Sequence, residues 1–271
     1  MNLGLQAVCA DQASCKCCGA TAFPYGVVDF HKNCEAFRRQ VLGISGVPIY
    51  YYRCPACRFL FTTAFDDFSK DDFLRYVYNE EYVLVDPDYL GDRARANADF
   101  LIRLFSGAKP RRVLDYGGGS GILADCLRAA GFPEAENYDP FVPLHSARPV
   151  GRFDCVVCFE VVEHSTNPEQ TIADMMDFLT EPGLIVFSTL LQPPDIDRQG
   201  LNWWYAGPRN GHVSLFSKES LVALTEPLGF GIASFNDDLH VLYREIPDFA
   251  RHFLIPLDQY AVDPYTTSVL A

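Results

Sequence analysis

Two groups of residues in this chain have the types and spacing of reactive or ligating sites. The first is the run Cys158-Phe159-Glu160-Val161-Val162-Glu163-His164, which sets two carboxylates and an imidazole at the end of an apolar stretch. A second imidazole, His212, follows in Gly211-His212-Val213-Ser214, after a loop carrying Trp203, Trp204 and Tyr205. Three readings compete for this set. Imidazole titrates near neutral pH, so His164 or His212, with Glu163 beside them, suits general acid–base chemistry. Glu160, Glu163, His164 and His212 together also suit a divalent cation such as magnesium, which would acidify a bound hydroxyl. In the third reading the carboxylates bond loop amides and His164 caps a chain end. The base reading leads, with His212 first, because its loop also brings aromatics that would wall a small molecule. Arg198 and Arg209 flank the same loop and offer charge to an anionic group.

The second group is CKCCG over residues 15–19 and CPACR over residues 54–58. Read as Cys15-x-x-Cys18 and Cys54-x-x-Cys57, these are two knuckles 35 residues apart. Four thiolates supplied as two close pairs suit a closed tetrahedral zinc site of the structural kind. Cys17 lies between two of the expected ligands and is a substitute for Cys15 or Cys18, while Cys9 and Cys34 are spare. The chain has ten cysteines, seven of them in its first 57 residues, and no basic residue before Lys16. The positively charged start of a secretory signal is therefore missing, and metal binding or burial is expected over disulfides.

The elements that must hold these groups can be read from pattern. With 271 residues, 49% hydrophobic and 21% charged, the composition is that of a globular protein. A net charge of −13 repels phosphate backbones and disfavours a nucleic-acid partner. Apolar runs such as Gly183 to Leu191 are too short to span a bilayer, so a soluble, cytoplasmic protein is expected. Strand-like stretches at 25–30, 48–53 and 59–63 surround the cysteine knuckles, giving a small zinc-ribbon-like β domain over 1–68. Residues 69–110 read as a helical connector or lid, with helices at 71–82 and about 89–105 around the aromatic run Tyr78-Asn79-Glu80-Glu81-Tyr82. From Arg111 to about 246 strands and helices alternate, which predicts an α/β, Rossmann-like domain with a largely parallel sheet. A tail over 247–271 completes the expected layout.

Within that second domain Val113-Leu114-Asp115 ends a strand, and the loop Gly117-Gly118-Gly119-Ser120-Gly121 follows. Such loops bind nucleotides. A carboxylate facing the loop opposes pyrophosphate, however, and favours a cationic ligand, which makes an NAD site the weakest option. Asp139 ends the next strand, 24 residues after Asp115, where a carboxylate can accept ribose hydroxyls.

In order, VLDYGGGSG, YDPF, FDCVVCFEVVEH, GLIVFSTLL and GHVSLFSKESL resemble the successive motifs of class I S-adenosylmethionine-dependent methyltransferases. They are most similar to the group that includes ubiquinone-type O-methyltransferases, over about residues 111–244. The zinc ribbon with the YNEEY connector is also similar to that of sugar C-methyltransferases. The resemblance implies a sulfonium methyl donor and transfer to oxygen or carbon of a small-molecule acceptor. It assigns Asp115, Tyr116, Gly117, Gly119 and Gly121 to the cofactor's methionine and ribose side, and Asp139 to its ribose. Phe141 is placed near the adenine, and Phe159 and Glu160 line the cofactor at a strand end. The E-x-x-E-H pattern with a later histidine also resembles the metal site of small-RNA 3′-end methyltransferases. A metal-assisted RNA methyltransferase is thus one alternative, and a non-catalytic cofactor-binding subunit another. One departure stands out: only 13 residues separate Asp139 from Phe153, where this family fits a helix and a strand. The sheet is expected to have lost or shortened a strand, with the adenine contact coming from residues 145–148. The acceptor, the methylated atom and the oligomeric state are not readable.

Overall fold

The computed structural model describes residues 9–36, 38 and 42–254. The segment 255–271, most of the tail expected beyond 246, lies outside the described residues. The N-terminal part begins with β1 (Ala13–Ser14), β2 (Thr21–Asp29), β3 (Pro48–Arg53) and β4 (Leu60–Thr62), an antiparallel meander. Each cysteine knuckle closes one of its turns. Cys15 N–H donates to the Ala20 carbonyl and Cys54 N–H to the Phe59 carbonyl, and the residue after each second cysteine, Gly19 and Arg58, has positive φ.

The connector is more broken than its pattern predicts. α1 (Lys70–Tyr76) starts on a Ser69–Asp72 capping box, the first-turn arrangement that satisfies otherwise bare amides. It stops at Val77 instead of running to Tyr82. There the Asn79 amide donates back to the Arg75 carbonyl while its oxygen accepts the Glu81 N–H, so a side chain competes with the helical ladder. A short α2 (Tyr82–Val85) and a 3₁₀ turn starting at Pro87 lead into α3 (Asp92–Leu104).

The larger sheet is built from β5 (Arg112–Tyr116), β6 (Glu134–Tyr138), β7 (Phe153–Cys158), β8 (Leu179–Ser188), β10 (Gly231–Ser234) and β11 (Leu239–Tyr243). Its order is β10-β11-β8-β7-β5-β6, parallel from β8 to β6, with the β10–β11 hairpin antiparallel at the other edge. Helices α4 (Ile122–Ala129), α5 (Pro168–Asp177) and α7 (Lys218–Thr225) are the main helices that follow its strands, with a single-turn α6 (Ile196–Gln199) between the last two. Central strands are apolar on both faces, as a covered parallel sheet requires. In β8, Ile185 and Phe187 join the core with α5 and α7, while Leu184 and Val186 join the core with α3 and α4. Between β6 and β7 the chain makes only a 3₁₀ turn at Pro143–His145, and β6 is the edge strand. The missing strand expected from the short 139–153 spacing is therefore a feature of the fold.

The two sheets are not separate bodies. A two-residue strand, β9 (Ser214–Leu215), leaves the second half of the chain and pairs with β4, with Leu60 opposite Leu215. His212 thus sits two residues before a strand that belongs to the N-terminal sheet.

Candidate active site

β5 delivers Asp115 to the carboxyl end of the parallel sheet, where open α/β sheets bind ligands. The carboxyl is 2% exposed, and its Oδ2 has no hydrogen-bond partner. The glycine loop folds over it so closely that a Cβ on Gly118 would lie 2.0 Å from that oxygen and 2.2 Å from Asn137 Oδ1. Only glycine fits there. Burial first, and the Asp139 charge second, push the Asp115 pKa from 3.8 up to about 7. Asp139 directly follows β6 and holds the loop from the other side: Oδ2 accepts the Gly119 N–H at 3.0 Å and Oδ1 the Phe141 N–H at 2.7 Å. Each oxygen keeps a lone pair for a ligand hydroxyl.

Sequence alternation separates the neighbouring positions. Tyr116, adjacent to Asp115 and so on the opposite face, donates to Asp174 on α5 at 2.9 Å and packs against Tyr138. Gly117, Gly119 and Gly121 all have positive φ. Phe141 lies edge-on to Tyr78 at 5.6 Å, under the connector, and Phe159 packs on the α3–α4 side of the sheet. His145 reaches the loop near Gly121 and Asn137.

Beyond β7 the chain turns sharply. Glu160 has φ +56° and is tied to β8, its N–H donating to Ser188 Oγ at 2.9 Å and its Oε1 accepting from the same hydroxyl at 3.0 Å. Its other oxygen faces Arg93 of α3 at 3.9 Å, and Arg93 is held by both oxygens of Asp86. Glu163, His164 and His212 go the other way and converge, with one donor atom from each lying within 4.8 Å of the others. Glu160 is not in that group, so the four-residue set divides into three plus one.

Glu163 is fully buried. Its Oε1 accepts the Tyr205 hydroxyl at 2.7 Å, and its Oε2 has no partner. The same burial that raises Glu163 well above the carboxylate range, helped by the Glu160 charge, lowers both imidazoles. His164 falls well below 6.5, through burial and then His212, and His212 falls to about 4 although the Tyr205 carbonyl opposes the shift. Both rings are neutral at pH 7, with lone pairs available. They meet edge to face at 5.0 Å, and a Cβ on Gly211 would come within 2.9 Å of His164 Nδ1.

The loop holding His212 is fixed from three sides. Its Nδ1 lies 2.8 Å from the Tyr205 carbonyl, and its own carbonyl accepts the Tyr51 hydroxyl of β3 at 2.7 Å. Lys32 donates to the Trp203 and Ala206 carbonyls, and Cys34 N–H donates to Asn210 Oδ1. Arg209 is 1% exposed and donates to the Val77 carbonyl and to Asn79. It clamps the connector, and Arg198 is exposed and pairs with Asp195, so the anion-binding role expected of these two arginines has no support. Sequence reasoning missed Tyr51, Lys32 and Cys34, which precede the loop by more than 150 residues and carry no local pattern. Tyr205 was visible only as one of three aromatics.

Cys15, Cys18, Cys54 and Cys57 bring four sulfurs within 4.8 Å of one another. The Cys15–Cys57 and Cys18–Cys54 pairs are 3.5 and 3.6 Å apart. A soft, four-thiol, mostly buried donor set fits tetrahedral zinc. Cys17 stays outside the four and hydrogen-bonds Cys15, which with Cys57 pulls the Cys15 thiol far down. Among the described residues no helix is long and apolar enough to cross a membrane.

Comparison with known proteins matches residues 89–234 to the family model described as Methyltransferase domain. The ubiquinone biosynthesis O-methyltransferase of Aromatoleum aromaticum is 29% identical over 108 residues, covering 31% of this chain and 46% of that one. The protein of the same name from Escherichia coli O9:H4 is 27% identical over 126 residues, covering 38% and 50%. The chain spans about half the length of the curated relatives it matches. A solved O-methyltransferase family protein from Burkholderia thailandensis superposes with a TM-score of 0.48 at 14% identity, over 66% of this chain and 63% of the other.

Proposed function

Because this chain belongs to the methyltransferase-domain family of class I S-adenosylmethionine-dependent enzymes, we propose that it methylates a hydroxyl of a small molecule with His212 as the base. The observation that carries this reading is one of placement. The loop over Asp115 and the Glu163–His164–His212 cluster stand at the carboxyl ends of neighbouring strands, β5 and β7.

S-adenosylmethionine, when bound, supplies a methyl group already activated by a sulfonium. The residues present suit it. Asp115 Oδ2, buried and bare, meets an ammonium group, and Asp139 accepts ribose hydroxyls. The chain must then orient the acceptor and take its proton. His212 is neutral, with Nδ1 turned to the Tyr205 carbonyl, so Nε2 is the accepting atom. A base held as low as about 4 serves an acidic hydroxyl, such as a phenol or enol, better than an alkyl one. Tyr78, which lies over His164 at 6.1 Å between the rings, walls the acceptor side together with Phe141. Glu160 and Arg93 bound the cofactor side. The three-donor cluster keeps the cation reading open in chemistry, but Glu160 faces Arg93 instead.

The domain layout supports the same reading. A zinc-ribbon-like part over 1–68 with zinc on its four cysteines, a lid over 69–110 and a catalytic part over 111–246 cooperate, since the first two parts fix the loop that carries His212.

The test is calorimetric titration with S-adenosylmethionine, S-adenosylhomocysteine and NAD, followed by transfer of labelled methyl to a panel of phenolic and sugar hydroxyls. Binding of the first two with transfer to a phenol is expected, and His212→Ala should slow that transfer by about 10²–10⁴-fold. Binding of NAD alone would sink the reading.

A further inference from the structure

We propose that Tyr205 is a positioning residue which fixes where the protons of Glu163 and His212 sit, and so which of their atoms face the acceptor. The inference rests on the function proposed above, but its evidence is local. Tyr205 touches both groups through different atoms. Its hydroxyl is 2.7 Å from Glu163 Oε1, its backbone carbonyl is 2.8 Å from His212 Nδ1, and its ring lies 4.2 Å from the His212 ring.

The contact with His212 has only one polarity. A carbonyl accepts and cannot donate, so His212 carries its proton on Nδ1 and leaves Nε2 bare. The Tyr205 hydroxyl receives the Leu190 N–H at 3.4 Å on one lone pair and donates its own proton to Glu163 Oε1 at 2.7 Å. Any proton on Glu163 must then sit on Oε2, the oxygen without a partner. Glu163 is held along its backbone as well, its carbonyl accepting the Val213 N–H at 2.9 Å. One residue thereby assigns the free valence of two groups, Oε2 through its hydroxyl and Nε2 through its backbone carbonyl. Leu190 follows the end of β8, so the polarity is anchored in the parallel sheet and not in the loop alone.

Both assignments can be read without knowing the acceptor. The full chain, labelled with ¹⁵N-histidine and saturated with S-adenosylhomocysteine, is expected to show His212 protonated on Nδ1 by long-range proton–nitrogen NMR. Isotope-edited infrared spectra, with Glu163→Gln to identify the band, are expected to show the Glu163 carbonyl stretch moved to higher frequency in Tyr205→Phe. The isosteric phenylalanine keeps the ring and the backbone carbonyl, so the His212 tautomer should survive it. A His212 proton on Nε2 in the wild type, or a Glu163 band unmoved by Tyr205→Phe, overturns the proposal. Loss of S-adenosylhomocysteine binding in the wild type would instead strike the parent reading, which keeps the two failures distinct.

Discussion

With its Oδ2 bare beneath the glycine loop and Asp139 nearby, Asp115 is raised from 3.8 to about 7. A carboxyl whose folded pKa exceeds its unfolded one favours the folded state while protonated, and that stabilisation is lost as pH rises through the folded pKa. The ligand-free protein should therefore lose thermal stability between about pH 4 and about pH 7 through this group, and Asp115→Asn should flatten that part of the curve. Affinity for S-adenosylmethionine has the opposite slope, rising over the same window as Asp115 ionises to meet the ammonium, and becoming flat in the asparagine variant. Titration calorimetry at several pH values checks both signs. Asp139→Ala should weaken the same ligand by about 1–3 kcal/mol, because a charged acceptor of two hydroxyls is removed. The loss of the Gly119 and Phe141 amide contacts adds to that cost. Much of this was legible in the chain: the carboxylates at strand ends and the glycine run are local patterns. The division of Glu160 from Glu163 was not, because it depends on a positive φ at residue 160 and on Arg93 arriving from another helix.

At the scale of elements, the 3.6- and 2-residue periodicities located the strands and helices of the α/β half, and the 13-residue gap after Asp139 foretold the missing strand. The connector defeated the pattern. Its apolar spacing continues past Val77, but Asn79 and the buried Arg209 take the carbonyls and amides that the helix would need. α7 shows the reverse case, where a local signal acts at long range. Ser217 caps the helix in a box with Ser220, and its hydroxyl also donates to the Cys57 carbonyl at 2.9 Å. Ser217→Ala should cost about 0.5–2 kcal/mol from the cap alone. Because the second knuckle loses a partner too, the loss measured by urea unfolding should lie toward the upper end of that range.

For the whole molecule, the four-sulfur cluster and the active site are mechanically joined. β3 runs into Cys54, and Tyr51 on that strand reaches the His212 carbonyl. Elemental analysis is expected to find about one zinc per chain, since a structural site of this kind binds with folding free energy. Cys54→Ser or prolonged chelation should remove the metal, lower the thermal midpoint and broaden the His212 resonances. Absence of zinc in reduced, unchelated protein would refute the ribbon. The net charge of −13 is the one global property that composition made plain. The tie through Tyr51 and Cys34 joins residues 161 and 176 positions apart. Such contacts repay the entropy of closing a long chain only late in folding. A ribosome making this protein releases the knuckles before the glycine loop, and the loop near residue 212 emerges long after both. The loop therefore meets Tyr51, Lys32 and Cys34 only after the cysteine knuckles and the glycine loop have both left the ribosome.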